Sequence, residues 1–406
     1  MNSLDVTLRQ RLEVLTHQNL RRSLSELSAH TAPRTVSTID SATLLNFSSN
    51  DYLGLSRHPA VQDASVAAVK EWGSGSTASR LVCGSLGIHH HLERDLATFK
   101  GCPASLLFST GYMAALGTIP ALVGPGDCVI VDRLAHACLV DAARFSGATL
   151  RAFHHNDVQD LSRKLDWAGR QASAPSHRIL VVTESVFSMD GDRAPLLEIV
   201  EAKERAGAWL MVDEAHATGV IGPGGRGLLN ALELEDRVEV AMGTLGKGLG
   251  SAGGFIAGST TLHDYLINRA RTFIFSTAPA PAATAAALAA LHIVHSPEGD
   301  RLRAALSGNL THFHSGLLQL GWTLPAPSSA IIPLIVGPED RALQVSAALR
   351  DQGLLVPAIR HPTVGRGRAR LRVTLSATHT RQDVDSLLIG LQRAFEMTGL
   401  PPGSMP

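Results

Sequence analysis

Apolar residues fall in short blocks through the middle of this chain. They stand at 104–108, 129–131, 179–182, 209–212, 238–242 and 254–257, and the spans between them carry helical spacing. Blocks of that length, broken only by Ser105 and Glu239, predict strands buried on both faces of a mostly parallel sheet with helices on either side. Before this region, 1–28 shows leucines at helical spacing (Leu4, Leu8, Leu12, Leu15), with Arg21 and Arg22 near its end. Residues 31–41 are turn-rich, 42–47 predict a strand, and 61–72 and 88–100 predict helices. The stretch 73–80, rich in Gly and Ser, has the composition of a linker. After about 295 the pattern changes, with strands predicted at 330–336, 354–359 and 370–375 and helices at 341–352 and 381–397. The expected division is an arm at 1–45, a large domain at 46–292 and a small α/β domain at 293–406. Its tail, 399–406, is expected to be disordered.

Polar and ionisable residues follow the apolar blocks. Ser109-Thr110-Gly111-Tyr112 follows the first; Asp132 and His136 the second; Thr183-Glu184-Ser185 and Ser188 the third; Asp213 and His216 the fourth; Thr244 and Lys247 the fifth. Ligands in open α/β sheets bind at the carboxyl ends of the strands, so these groups can converge on one site. Lys247 sits in Gly243-Thr244-Leu245-Gly246-Lys247-Gly248-Leu249-Gly250. A lysine there is either a point charge for a phosphate or an amine for a carbonyl cofactor. A plain glycine-rich surface turn is the third reading. The phosphate-loop pattern fails, because Ala241 and Gly248 stand where it needs Gly and Ser or Thr.

Composition narrows the class. The chain has 406 residues, 45% hydrophobic and 18% charged, with Lys plus Arg balancing Asp plus Glu at 36 each. A neutral chain carries no electrostatic signature of a nucleic-acid or acidic-membrane partner. Cys83, Cys102, Cys128 and Cys138 form no Cys-x-x-Cys pair, and are expected to be reduced, mostly buried small hydrophobes of a cytosolic protein. His89-His90-His91 lacks the i, i+4 spacing of helical metal ligands, so these histidines, like His154-His155, are expected to be surface and core residues; no metal is expected. The N-terminus lacks the apolar core of a signal peptide, and the alanine-rich run 278–290 is too short and too weakly apolar to span a bilayer.

A pyridoxal phosphate site needs a lysine for the aldehyde, an anion for the ring nitrogen, a phosphate cup and a group on the ring face. Lys247, Asp213, the helix start at Thr110-Gly111-Tyr112 with Thr244, and His136 are candidates for these places. Three motifs extend the match: Asp213-Glu214-Ala215-His216 with Thr218-Gly219, Phe187-Ser188-Met189-Asp190-Gly191-Asp192, and Thr244-Leu245-Gly246-Lys247-Gly248. With them the chain resembles the fold-type I (aspartate aminotransferase-like) pyridoxal-phosphate enzymes, and among them the α-oxoamine synthases, from Arg21 to about Leu391.

Further motifs are similar to one branch of that family: Asn46-Phe47-Ser48-Ser49-Asn50-Asp51-Tyr52-Leu53-Gly54-Leu55, Ser79-Arg80-Leu81-Val82, Ala358-Ile359-Arg360 with Pro362-Thr363-Val364, and Ala369-Arg370-Leu371-Arg372. The resemblance implies a decarboxylative condensation of L-alanine with a pimeloyl thioester, on coenzyme A or acyl carrier protein, in biotin synthesis. It implies Lys247 as Schiff-base and proton-abstracting residue, and His136 on the ring and toward the acyl substrate. Gly111, Tyr112, Ser188, Asp213, His216 and Thr244 become cofactor contacts, and Thr277 reaches the phosphate of a neighbouring subunit. Arg21, Asn50, Thr363 and Arg372 become substrate contacts. A cytoplasmic homodimer is implied. His361, Gly365 and Ala217 depart from the family pattern. A sibling that uses glycine with another acyl thioester, or a non-catalytic subunit of the same fold, are the competing readings.

Overall fold

The computed structural model describes residues 3–29, 33–37, 42–171 and 177–399. The chain forms two compact units. One comprises Met1–Ser49, Met189–Gly191 and Ala305–Pro406; the other comprises Asn50–Ser188 and Asp192–Ala304.

The first unit opens with a helix at Ser3–His17, shorter than the helix expected over 1–28. Asn19 takes a left-handed φ of 55°, and the Leu15 carbonyl accepts from Leu20 N at 2.8 Å and Arg21 N at 3.1 Å, which closes the helix. Arg21 and Arg22 therefore lie beyond the helix, in neither helix nor strand. Strands β1 (Leu27–Ala29), β2 (Arg34–Ser37) and β3 (Thr43–Asn46) follow. The turn expected over 31–41 thus contains a strand, preceded by a turn residue at Pro33; 31–32 and 38–41, like most of the 399–406 tail, lie outside the described residues.

The second unit is built on a seven-stranded sheet. Its strands are β4 (Ala104–Phe108), β5 (Cys128–Asp132), β6 (Thr149–Phe153), β7 (Ile179–Glu184), β8 (Trp209–Asp213), β9 (Val240–Thr244) and β10 (Gly254–Gly258). The order is β4-β10-β9-β8-β7-β5-β6, with β10 antiparallel to both neighbours and the remaining pairs parallel. Every residue of β5 and β7 is buried, which is why their apolar blocks were legible. Strand β6 was not, because it is an edge strand with mostly exposed side chains. The alanine-rich segment is a helix, Pro281–Val294, packed on helices Pro59–Trp72 and Gly87–Lys100. The 73–80 stretch is no linker: Ser76 is buried and donates to the Pro279 carbonyl at 2.6 Å, and Arg80 makes two 2.9 Å bonds to Glu93.

The first unit is completed by β11 (Ile331–Gly337), β12 (Leu354–Leu355), β13 (Ala358–Ile359) and β14 (Ala369–Thr374). The single strand expected over 354–359 is two strands in two sheets. β12 joins β1-β2-β3, and β13 joins β11-β14. Pro357 lies between them and cannot donate to a ladder, so the chain changes sheet there.

Cys128 and Cys138 are buried as expected, whereas Cys83 is exposed; all four cysteines are free. His89 is buried and sits 2.9 Å from the Pro279 carbonyl, while His90 and His91 are exposed. Among the described residues no cluster of His, Cys, Asp and Glu could hold a metal ion, and no helix is long and apolar enough to cross a membrane.

Candidate active site

The register of the large sheet brings the candidate groups together. Glu184 at the end of β7 pairs with Asp213 at the end of β8, and Asp213 pairs with Met242 of β9. Paired residues on neighbouring strands share a face and lie about 5 Å apart, so two carboxyl groups stand side by side at the carboxyl edge. The loop after β9 then carries Lys247 to that edge.

Lys247 is half-buried, and its Nζ lies 2.8 Å from His216 Nε2. His216 Nδ1 lies 2.5 Å from the Tyr52 hydroxyl, and Tyr52 reaches Asn50 Oδ1 at 3.2 Å. Tyr52 and His216 are 1% and 5% exposed, so solvent cannot compete for these contacts. Close packing fixes the lysine loop as well. A Cβ at Gly248 would sit 2.5 Å from the Thr218 carbonyl oxygen, and one at Gly250 would sit 2.3 Å from Ser56 N. Gly250 also takes a left-handed φ of 58°. This stretch is a locked turn rather than a loose surface loop.

Asp213 is buried, and its Oδ1 accepts from Ala215 N at 2.8 Å. Burial raises its pKa; Lys247, the Ala215 N–H and His136 pull the other way. Glu184 is buried too. Desolvation and the Asp213 charge hold it well above the usual carboxylate range. Its Oε1 accepts from His136 N at 2.6 Å. His136 caps helix Ala137–Phe145, its Nδ1 accepting from Cys138 N at 3.2 Å. Solvent still reaches His136, but neighbouring atoms strip enough of its hydration to lower its pKa, an effect Lys247 adds to and Asp213 opposes. Neutral His136 is thus held by its backbone against Glu184, a contact that strand patterning could not reveal.

A candidate phosphate cup lies at the end of β4. Thr110 caps helix Gly111–Leu122 by accepting from Met113 N at 3.0 Å, and the first-turn N–H groups of that helix have no intrahelical acceptor. A Cβ at Gly111 would lie 2.5 Å from Thr244 Cγ2, so only glycine allows this approach. Thr244 Oγ1 is buried without a hydrogen-bond partner. An orphaned hydroxyl beside a helix N-terminus suits a phosphate oxygen. Together with Lys247 and the buried Asp213, it means the residues present fit pyridoxal phosphate. Tyr112 is exposed and donates to Asp141 at 2.5 Å. Ser188 is buried after β7. Thr277 is exposed, and its carbonyl accepts from Ser109 at 3.2 Å.

The remaining candidates belong to the first unit. Arg372 is buried on β14 and donates to Thr374 Oγ1 at 3.0 Å. Thr363 Oγ1 accepts from Arg22 at 3.1 Å, so the side chain that reaches it is that of Arg22; the Arg21 carbonyl instead faces Arg360 at 3.5 Å. The adjacent pair Arg21-Arg22 gave no register from sequence because the local chain is neither helix nor strand. Arg370 is buried and paired with Asp190 at 2.6 Å, which occupies it structurally.

The sequence profile of the aminotransferase class I and II family matches residues 42–391. The chain is 45% identical over 391 residues to the 8-amino-7-oxononanoate synthase of Herminiimonas arsenicoxydans, spanning 96% of this chain and 99% of that protein. Among solved structures it resembles a serine palmitoyltransferase from S. paucimobilis with bound PLP. The TM-score is 0.90 and the identity 30%, covering 98% of this chain and 100% of the other. It also resembles the 8-amino-7-oxononanoate synthase of Francisella tularensis, with TM-score 0.74 and 26% identity over 88% of this chain and 99% of that one.

Proposed function

Since the chain belongs to the aminotransferase class I and II family, we propose that it joins L-alanine to a pimeloyl thioester. The products are 8-amino-7-oxononanoate, carbon dioxide and a free thiol, a step in biotin synthesis, with the acyl group carried on coenzyme A or acyl carrier protein. The protein is a pyridoxal-phosphate-dependent acyltransferase. When bound, the cofactor supplies an electron sink for the charge left on the α-carbon.

The chain's own groups then divide the work. Lys247 would hold the cofactor by its aldehyde and would carry the alanine α-proton on Nζ. Asp213 presents an anion to the ring nitrogen. His136, held through its backbone N–H by Glu184, would take the ring face and the acyl substrate. Thr244 and the helix start at Gly111 and Tyr112 hold the phosphate, with Thr277 reaching it from a second subunit of a homodimer. Ser188 and His216 hydrogen-bond around the ring. Arg372 pairs with the amino acid carboxylate, as guanidinium geometry favours. Asn50, Thr363 and Arg21, with Arg22 beside it, line the substrate side. The same reading makes 1–45 an arm, 46–292 the cofactor domain and 293–406 the small domain, and puts the enzyme in the cytoplasm.

The observation that carries this reading is the 2.8 Å contact of Lys247 with His216 at a strand edge that also holds buried Asp213. The test is thiol release by the holoenzyme from pimeloyl-CoA and acetyl-CoA, each with L-alanine or glycine. Release confined to pimeloyl-CoA with alanine is expected. Release that prefers glycine and acetyl-CoA would overturn the assignment.

A further inference from the structure

We propose that His155 is a positioning residue: its ring ties the turn that delivers His136 to the loop that carries Ser188, and so holds these two sides of the site at a fixed separation. The inference deepens the reading above and rests on its placing of His136 and Ser188 around the cofactor.

The strand order places β5 between β7 and the edge strand β6. The chain leaving β6 turns at once. His154 N donates to Asp160 at 2.9 Å, Asp157 N donates to the His154 carbonyl at 2.9 Å, and Asp157 caps helix Val158–Arg170. His155, in that turn, reaches the ends of both neighbouring strands. Its Nδ1 lies 3.0 Å from Asp132 at the end of β5, and its Nε2 lies 2.8 Å from Asp192 in the loop after β7. The ring also meets the buried Phe187 ring edge-on, with 4.4 Å between centroids and an interplanar angle of 89°. Both ring nitrogens face carboxyl groups, so the ring is held from two sides.

Each of those acids is built into the backbone of a site segment. Asp132 is fully buried. Its Oδ1 accepts from Leu134 N at 2.8 Å and its carbonyl from Ala135 N at 3.0 Å, which shapes the turn that ends at His136. The Asp192 carbonyl accepts from Phe187 N at 3.0 Å, and Arg193 pairs with Val186 as an antiparallel bridge, which closes the loop around Ser188. Asn156 makes a second tie beside the first. Its N donates to Asp132 Oδ2 at 3.0 Å and its Nδ2 to Asp192 Oδ2 at 2.8 Å, from a left-handed φ of 56° that asparagine tolerates. Two neighbouring residues thus bridge the same two acids. Moving either acid moves the backbone on which His136 or Ser188 sits.

His155→Gln offers an amide N–H to one carboxylate but only an oxygen to the other, so it breaks the tie on one side. In the apoenzyme, backbone amides of 133–136 and 186–188 should exchange with deuterium about tenfold faster while those of β8 are unchanged. In the holoenzyme, the visible circular dichroism of the bound cofactor should weaken about twofold. Turnover should fall about tenfold with KM for alanine within about twofold. Asn156→Gly permits the same φ and removes the second tie, so it should move each readout the same way by less, and it serves where His155→Gln fails to fold. Lys100→Met loosens a different cluster and should leave the dichroism of its folded fraction unchanged, which separates positioning from mere loss of stability. Unchanged exchange at either segment, unchanged dichroism, or an equal dichroism loss in Lys100→Met would overturn the proposal. His136→Ala and Ser188→Ala test the reading beneath it. If neither alters the dichroism, that reading fails and takes the proposal with it; if they do and His155→Gln does not, the proposal alone fails. Neither exchange nor dichroism needs an acyl donor, so failure of the acyl-transfer assignment is told apart from both.

Discussion

Asp213 and Glu214 are neighbours in the chain, yet they serve two opposite kinds of charged cluster. Glu214 is fully buried and saturated. Lys100 Nζ contacts its Oε2 and also donates to the Arg226 carbonyl, while Leu229 N donates to Oε1 at 2.9 Å. Asp213 is just as buried, but the lysine near it, Lys247, is bonded to His216, and its second neighbour is the carboxyl of Glu184. Along β8 and just beyond it, successive side chains point to opposite sides, one toward the helices and one toward the open carboxyl edge. The difference teaches how to tell a structural charge from a working one. The Lys100–Glu214 pair meets its electrostatic needs within the protein. The Asp213–Glu184–Lys247–His136 group leaves a carboxyl above its ordinary range and an imidazole below it, and such displaced pKa values mark sites where a ligand completes the electrostatics.

Replacing each lysine separates the two clusters most sharply. Lys247→Ala should abolish the visible absorbance of lysine-linked cofactor and cut turnover by about 10⁴-fold or more, near 5 kcal/mol of barrier, with little change in melting temperature. An unchanged spectrum would sink the lysine assignment. Lys100→Met should do the reverse. It leaves Glu214 charged and alone in the core, so urea unfolding should show a loss of about 3–5 kcal/mol while the cofactor spectrum of the folded fraction is unchanged; Lys100→Met with Glu214→Leu should recover much of it. Equal stability of the single and double variants would mean that the pair is not the saturated cluster described.

Asp213→Asn probes the working side with a smaller change. Losing the anion should lower turnover about 10²–10³-fold and weaken cofactor binding, measured by dialysis against apoenzyme, while stability holds or rises slightly. A stability loss larger than the activity loss would move Asp213 into the structural class. The smallest effect is expected at His155, a third kind of cluster. It lies 3.0 Å from Asp132 and 2.8 Å from Asp192; burial pulls its pKa down, but the two carboxylates outweigh that and push it up to about 10. A histidine raised in the folded state contributes stability that is complete below its unfolded value near 6.5 and is lost as pH rises through about 10. His155→Gln should therefore cost about 1–3 kcal/mol at pH 6 and progressively less toward pH 10, read as converging melting temperatures. A gap that widens with pH would refute the ion-pair account.

Much of this molecule could be read along the chain. The central strands were plain because burial on both faces leaves them no polar positions, and the residues after them were recognisable as chemistry because strand ends carried them. Edge strand β6 was missed because its exposed side chains erase that signal. The helix end at Asn19 and the change of sheet at Pro357 turn on single backbone positions, which periodicity averages over. Candidate residues of unusual type at a strand end, such as Lys247, Asp213 and His136, stood out by residue type, and the fold gathers them at one sheet edge. Glu184 was noticed but given no role, and Tyr52 was quoted only as part of a motif, because what each does depends on a partner far along the chain: Glu184 on His136 N, Tyr52 on His216.

The sequence by itself determined the class of fold, the cofactor and which lysine is the candidate to meet it, because each follows from residue type and local order. The tertiary structure alone decided which of two adjacent carboxylates faces the site, which of two adjacent arginines reaches Thr363, and which imidazole nitrogen meets Lys247. Those are questions of register and direction between segments distant in the chain. A hydrogen bond needs its atoms within about 3 Å, and only folding brings such segments that close.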